Sequence, residues 1–217
     1  MKTGLVVALL AVLIVVPVAV ATDPTSNSAE QIRQHRESGD WASEVTKQVK
    51  KAKAWLNERT AGKRAPKKPG LVLDIDETAL DNYPCFDRRD GIPYDGGANG
   101  ACIVEYKAPA IKPVRSLFKL AGRLKVKVFF ITGRPEQLRD GTLDNLRAAG
   151  YTGKYELHMR PADYANESAV PAKRGARKAI QKRGFKIIAN VGDQRSDLQG
   201  GYSERTYKLP NLIYLTP

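Results

Sequence analysis

Histidine and cysteine are almost missing from this chain: two of each occur in 217 residues. His35 and His158 stand far from one another and from Cys85 and Cys102. That scarcity argues against a four-ligand thiolate and imidazole metal cluster, which needs several such groups at short spacing. Acids are also in short supply, 23 against 36 Lys and Arg, for a formal charge of +13. Aromatic residues make up 7% of the chain. No series of them interleaves with the basic runs, so a stacking platform for single-stranded nucleic acid is not indicated and no specific nucleic-acid binding is expected. The hydrophobic pattern shows no internal repeat. What is present, 42% hydrophobic residues over this length, suits one compact domain.

The longest apolar run comes first. Residues 1–21 carry a single charge at Lys2, then 17 apolar residues from Leu5, and end Ala19-Val20-Ala21. This is the pattern of a secretory signal cleaved after Ala21. An uncleaved anchor is the alternative, because the run approaches the length that spans a bilayer. No cysteine follows it, so a lipid anchor is not expected. The chain is therefore expected to be secreted or extracytoplasmic. Cleavage removes only Lys2 among the charged residues, leaving 35 basic and 23 acidic side chains, a net +12. In an oxidising compartment Cys85 and Cys102 are expected to pair. The bond would close a loop of 16 intervening residues and contribute about 3 kcal/mol. Two free thiols or a metal pair are the alternatives.

The basic excess is concentrated. Residues 47–68 hold nine Lys or Arg and one acid, and residues 172–186 hold seven and none. Such runs attract anions, among them phosphorylated substrates, nucleic acid and anionic envelope polymers. They serve equally as solvated helix faces.

Residues 22–39 are polar and read as a flexible lead-in. From Asp40, placed as an N-cap, Trp41, Val45, Val49, Ala52 and Leu56 recur at helical spacing. The helix stops at AGKRAPKKPG, which reads as a linker. Beyond it short aliphatic runs alternate with helical patterns. The expected strands are 71–75, 126–131, 155–159, 187–191 and 212–216. The helical stretches between them begin at Val114, Glu136 and Ala172, and Gly122, Gly150 and Gly184 close them. This alternation predicts an α/β domain over residues 40–217 with a mostly parallel, doubly wound sheet. Residues 82–112 break it: both cysteines, four Gly and three Tyr lie there without a strong period. That length favours a functional loop or small cap. Its Tyr83, Tyr94 and Tyr106 pack under the loop or stack on a base or sugar.

Three of the runs end at chemically useful groups. LVLDIDET brings Asp74 and Asp76, VKVFFITGR brings Thr132 and Arg134, and IIANVGDQRSD brings Asp193 and Asp197. Parallel strands would gather these at one edge, where Lys173 could reach them. Converging carboxylates repel one another unless a cation lies among them, and oxygen donors of this kind suit Mg²⁺. Metal, ammonium and the Thr132 hydroxyl around one point make a clamp for a phosphoryl group. An aspartate can then attack phosphorus, and Asp76 can protonate the leaving alkoxide and activate the hydrolytic water. Asp197 has a plainer alternative as a helix-capping acid beside Ser196.

Asp74-Ile75-Asp76-Glu77-Thr78 resembles the first motif of the haloacid dehalogenase (HAD) superfamily. Thr132-Gly133-Arg134 resembles the second, Lys173 within Lys-Arg-Gly-Ala-Arg177 the third, and Gly192 to Leu198 the fourth. DIDET followed by Ala-Leu, TGRPE, Thr142 to Tyr151, GDQRSDL and Lys208 to Asn211 are similar to class B secreted acid phosphatases, the plant acid phosphatases and vegetative storage proteins. The resemblance runs from about residue 40 to the C-terminus. It implies a Rossmann-like three-layer sandwich with a cap after the first motif and an N-terminal helical extension. It further implies Asp74 as nucleophile and Asp76 as general acid and base. Mg²⁺ would be held by the Asp74 and Asp193 side chains and the Asp76 backbone carbonyl, supported by Asp197. Thr132, Lys173 and Arg134 would bind the phosphoryl oxygens, Arg134 with a structural alternative. The substrates implied are small phosphate esters, nucleotides among the candidates. Ala172-Lys173-Arg174 departs from the Tyr-Lys-Ser frequent in these relatives, and the cap stretch is unusually rich in Gly, which leaves substrate preference open. Some storage relatives lack the nucleophile that this chain keeps. The alternative function is a weakly active or inactive storage or anion-binding protein at the cell surface, with nonspecific attachment to anionic envelope polymers. The oligomeric state is left open.

Overall fold

The computed structural model describes residues 27–88, 106–164 and 168–214. The helices are α1 Ala29–Glu37, α2 Asp40–Thr60, α3 Tyr83–Arg88, α4 Lys112–Arg123, α5 Arg139–Ala148, α6 Ala169–Lys182 and α7 Arg195–Leu198. The strands are β1 Pro69–Leu73, β2 Lys127–Pro135, β3 Tyr155–Arg160, β4 Lys186–Gly192 and β5 Arg205–Lys208. They form one sheet in the order β3-β2-β1-β4-β5, with every neighbouring pair parallel.

Alternation along the strands makes the layers. Leu71 and Leu73 of β1 and Val128 and Phe130 of β2 face a core shared with Val45, Val49 and Leu56 of α2 and Leu117 of α4. Val72, Phe129 and Ile131 point the other way, onto Ile180 of α6. Both faces of the sheet are thus covered, as a parallel sheet requires. The chain builds outward from β1 to β3, then crosses back to β4 and β5. That reversal lies at β1, and in such sheets ligands bind beside it, at the carboxyl ends of the strands.

The helix expected from Asp40 is present, but its cap is Gly39, with a left-handed backbone at φ 84° that glycine adopts freely. Asp40 is the first helical residue and accepts from Ser38 Oγ at 2.8 Å. Trp41 and Trp55 pack against the core, and each anchors α2 by an indole N–H, to Pro210 O at 3.2 Å and Ile188 O at 2.8 Å.

Two further expectations are corrected. The segment 22–39, read as flexible, contains α1, closed at its start by a reciprocal Ser28–Gln31 capping box. Ile32 buries itself with Cys85, Phe86 and Ile213. Arg36 pairs with Asp81 at 2.5 Å and lies 3.6 Å from the Trp41 ring centre and 4.3 Å from that of Tyr83. One apolar residue per turn was too weak a signal, and its partners lie more than fifty residues away. Among the described residues the last strand is Arg205–Lys208, and 212–214, the described part of the strand expected at 212–216, is not one. Through Tyr214 the later stretch is instead a strap, because Ile213 joins the cluster around Ile32 while Tyr214 bonds to Glu77 of the first motif and Asn211 to Asp193 of the fourth.

Ile32→Ala should lower the unfolding free energy by about 2–5 kcal/mol, read from urea denaturation. A flexible lead-in would leave it unchanged.

Candidate active site

The sheet fixes the first acid before any site chemistry is considered. Asp74 follows the last residue of β1, and its N–H still donates to Val191 O at 3.0 Å. The chain then turns tightly: the N–H groups of Ala79 and Leu80 both donate to Ile75 O at 2.8 Å, with Glu77 left-handed at φ 51°. This turn sends Asp74 and Asp76 into different surroundings.

Asp74 lies buried beside Asp193 and Asp197, with a carboxylate oxygen from each within 4.8 Å of the others. Lys173 of α6 reaches into this group, donating to Asp74 Oδ1 at 2.7 Å and to Asp197 Oδ1. Burial, reinforced by the Asp197 charge and opposed by Lys173, pushes Asp74 well above the usual carboxylate range. Burial and Asp197 likewise push Asp193 up to about 6. Burial also works against the Lys173 charge, but Asp197 and Asp74 outweigh it and hold the ammonium protonated. One lysine among three carboxylates leaves a deficit of positive charge. An all-oxygen donor set of this kind fits a hard divalent cation.

Asp193 is held by three donors: Thr78 Oγ1 to Oδ1 at 2.9 Å, and Gln194 Nε2 and Asn211 Nδ2 to Oδ2 at 2.6 and 2.8 Å. Asp197 takes the helix-capping role considered for it and also pairs with the lysine. Its Oδ2 accepts the Gln194 N–H at 2.8 Å and so caps α7, while its Oδ1 takes Lys173. Gly192 permits this approach, since a Cβ there would overlap the Asp197 side chain.

Asp76 faces Arg134. The guanidinium donates from Nη2 at 2.6 Å and Nε at 3.0 Å, and Asn82 Nδ2 adds a bond at 2.9 Å. Burial works to raise Asp76, but Arg134 prevails and holds it below its ordinary value. Arg134 also donates from Nη1 to Thr142 at 3.2 Å, and its N–H donates to Thr132 Oγ1 at 3.1 Å. The Nε and Nη2 groups of Arg134 are therefore already engaged by Asp76. Thr132 is buried at the same edge, beyond the β1–β2 register pair Leu73 and Phe130.

Several residues of this site had no role assigned from sequence. Asn211 and Tyr214 of the strap reach Asp193 and Glu77 respectively. Burial, with the Asp76 charge, pushes Glu77 well above its ordinary value, against the Tyr214 bond. Arg177, fully buried, donates to Asp197 O at 2.6 Å, Gly201 O at 2.9 Å and Gln199 O. Its spacing of four from Lys173 was the available signal, since both lie on the buried face of α6. Part of the basic run 172–186 is therefore internal. Tyr94, Cys102 and the Gly-rich part of the cap lie outside the described residues. Cys85 is buried on α3.

A doubly wound α/β domain with an acidic, lysine-bridged site at its switch point is the class that fold and site define. More narrowly, the chain belongs to the HAD superfamily, subfamily IIIB (acid phosphatase), whose family model matches residues 15–217. It is 37% identical to acid phosphatase 1 of Solanum lycopersicum over 146 residues, covering 66% of this chain and 57% of that protein. It is 32% identical to the stem 28 kDa glycoprotein of Glycine max over 152 residues, 68% of this chain and 60% of that protein. Vegetative storage protein 2 of Arabidopsis thaliana is 29% identical over 150 residues, covering 67% and 56%. The matched regions thus span about 56–60% of these relatives' lengths. Among solved structures, the class C acid phosphatase of Bacillus anthracis superposes with TM-score 0.69 over 84% of this chain and 83% of that one, at 20% identity, and so shares the fold.

Lys173→Met should destabilise the protein by about 3–5 kcal/mol by stranding buried carboxylates. Millimolar Mg²⁺ should recover part of that loss in thermal melting, a recovery absent if the cluster does not take cations.

Proposed function

We propose that this protein is a Mg²⁺-dependent phosphomonoesterase acting on small phosphate esters, nucleotides among them, through an aspartyl-phosphate on Asp74. The observation that carries this reading is Asp74 at the end of β1, bridged by Lys173 and grouped with Asp193 and Asp197.

Asp74 and Asp193, with the backbone carbonyl of Asp76, would hold Mg²⁺, and Asp197 would support them through Lys173. The ion would supply positive charge to the phosphoryl oxygens as negative charge builds there. Lys173 restrains the attacking carboxylate and adds its own charge, while the Thr132 hydroxyl donates to a phosphoryl oxygen. As an Asp74 oxygen bonds to phosphorus, the bond to the leaving oxygen breaks and Asp76 gives that oxygen its proton. Asp76 then takes a proton from the water that attacks the aspartyl-phosphate, freeing phosphate and restoring Asp74. The pair with Arg134 keeps Asp76 charged at rest. A phosphoryl group that draws Arg134 away would let Asp76 take up the proton it needs.

The cap at 82–112 would select substrate, and the Cys85–Cys102 bond would brace it. Export through residues 1–21 is supported by the glycoprotein named among the relatives. Among the described residues no helix is long and apolar enough to cross a membrane. Kinship with vegetative storage proteins supports the storage reading, but Asp74, Asp76, Lys173 and Asp193 together favour catalysis.

Purified protein should release phosphate from 4-nitrophenyl phosphate, and EDTA should stop it. Asp74→Asn should lower the rate by several powers of ten, each about 1.4 kcal/mol of barrier. Undiminished turnover by that variant would remove the covalent mechanism. An inactive wild type across a panel of esters would leave the storage reading.

A further inference from the structure

Exposed cations gather at the edge of the sheet opposite the acidic site, although Arg174, Arg195 and Lys208 are exposed on the site side as well. Because all strands run parallel, their amino ends share the edge opposite the acidic site. Lys63, Arg64, Lys67 and Lys68 precede β1 there, and Arg183 and Lys186 flank the entry to β4, all of them exposed. Lys125 and Lys154 stand before β2 and β3, and Arg205 opens β5, also exposed. These groups belong to one surface: the Lys186 N–H donates to Lys68 O at 2.8 Å, and Lys68 Nζ reaches Arg183 O at 3.5 Å.

Acids do little to offset them. Glu156 is paired with Arg183 at 2.7 Å and Lys127 at 3.6 Å, and Glu204 with Arg59 at 2.8 Å and Lys186 at 3.8 Å. Glu58, at the end of α2, is an exposed acid here, and Asp144 of α5 is exposed and paired with Arg147 at 2.7 Å. Two grooves open on it. One of about 540 Å³ is lined by Trp55, Arg59, Lys63 and Arg64 with Glu58 among them, and one of about 470 Å³ by Phe118, Arg123 and Lys154.

We propose that the amino edge is a docking surface for an acidic polysaccharide, which holds the protein with its active edge turned outward. Charge complementarity selects a polyanion, and the basic-rimmed grooves suit saccharide units. Single-stranded nucleic acid would need free rings for stacking. The rings here are covered instead: the Arg205 guanidinium lies 3.5 Å from the Trp55 centroid, and Lys68 and Arg183 lie 5.7 and 5.5 Å from that of Phe185. A bilayer would need apolar anchors, and the exposed side chains just named are cationic.

The test is binding of the mature chain to polygalacturonate, read without turnover so that it stands apart from the catalytic reading. K63Q/R64Q/K67Q should weaken binding about tenfold, whereas K47Q/K50Q/K51Q, the same charge removed from the exposed face of α2, should change it less than about twofold. Hydrogen exchange of the bound protein should slow at residues 63–68 and 183–186 and not at 74–78. Equal losses in the two triple variants, protection of 74–78, or tighter binding to a single-stranded oligonucleotide or phosphatidylserine vesicles would overturn the proposal.

Discussion

The ammonium of Lys173 has to lie buried between Asp74 and Asp197, and much of the molecule is arranged to make that possible. A buried charge is tolerated only where opposite charge and hydrogen bonds compensate it. Here the compensation comes from β1 on one side and the capped start of α7 on the other. Helix α6 must therefore pack across the sheet with its apolar stripe and its lysine on one face. Ile180 supplies the first and Lys173 the second, seven residues apart in two helical turns. Arg177, between them, ties the chain leaving α7 to the same helix.

The carboxylates gain their chemistry from unequal surroundings. Asp74 and Asp193 lie where burial and a neighbouring acid favour the proton, while Asp76, two residues from Asp74, is held charged by Arg134. The left-handed Glu77 and the turn after Ile75 separate them. Distant segments then lock the arrangement. Thr78 and Asn211 orient Asp193 from two directions, and α1 covers the strap that carries Asn211. Parallel strands gather acids at one edge and leave the cations of the linkers at the other, so one topology accounts for both the site and the proposed docking surface.

The sheet and its covering helices were readable because β1, β2 and β4 each carry a short, mostly apolar run and the helical stretches between them end near a glycine. The candidate site was readable because its residues sit at strand ends in a fixed order. Tertiary contact decided the rest. The α1 helix has one buried residue, Ile32, whose partners come from α3 and the strap. The run at 212–214 is as apolar as a strand, but β5 forms from Arg205–Lys208 because Tyr207 is the residue that turns into the core beside β4.

By itself, then, the sequence determined the alternation of β1 to β4 with the helices α4, α5 and α6, the edge where the acids meet and the identity of the lysine among them, since periodicity and strand direction are local properties that fix where side chains emerge. Tertiary structure alone decided which partner each charge receives. Whether Arg134 holds Asp76, whether Asp197 serves a helix cap and a lysine together, and whether the C-terminal strap reaches Asp193 depend on distances between segments far apart in the chain. Those distances are set by packing, which no local pattern records.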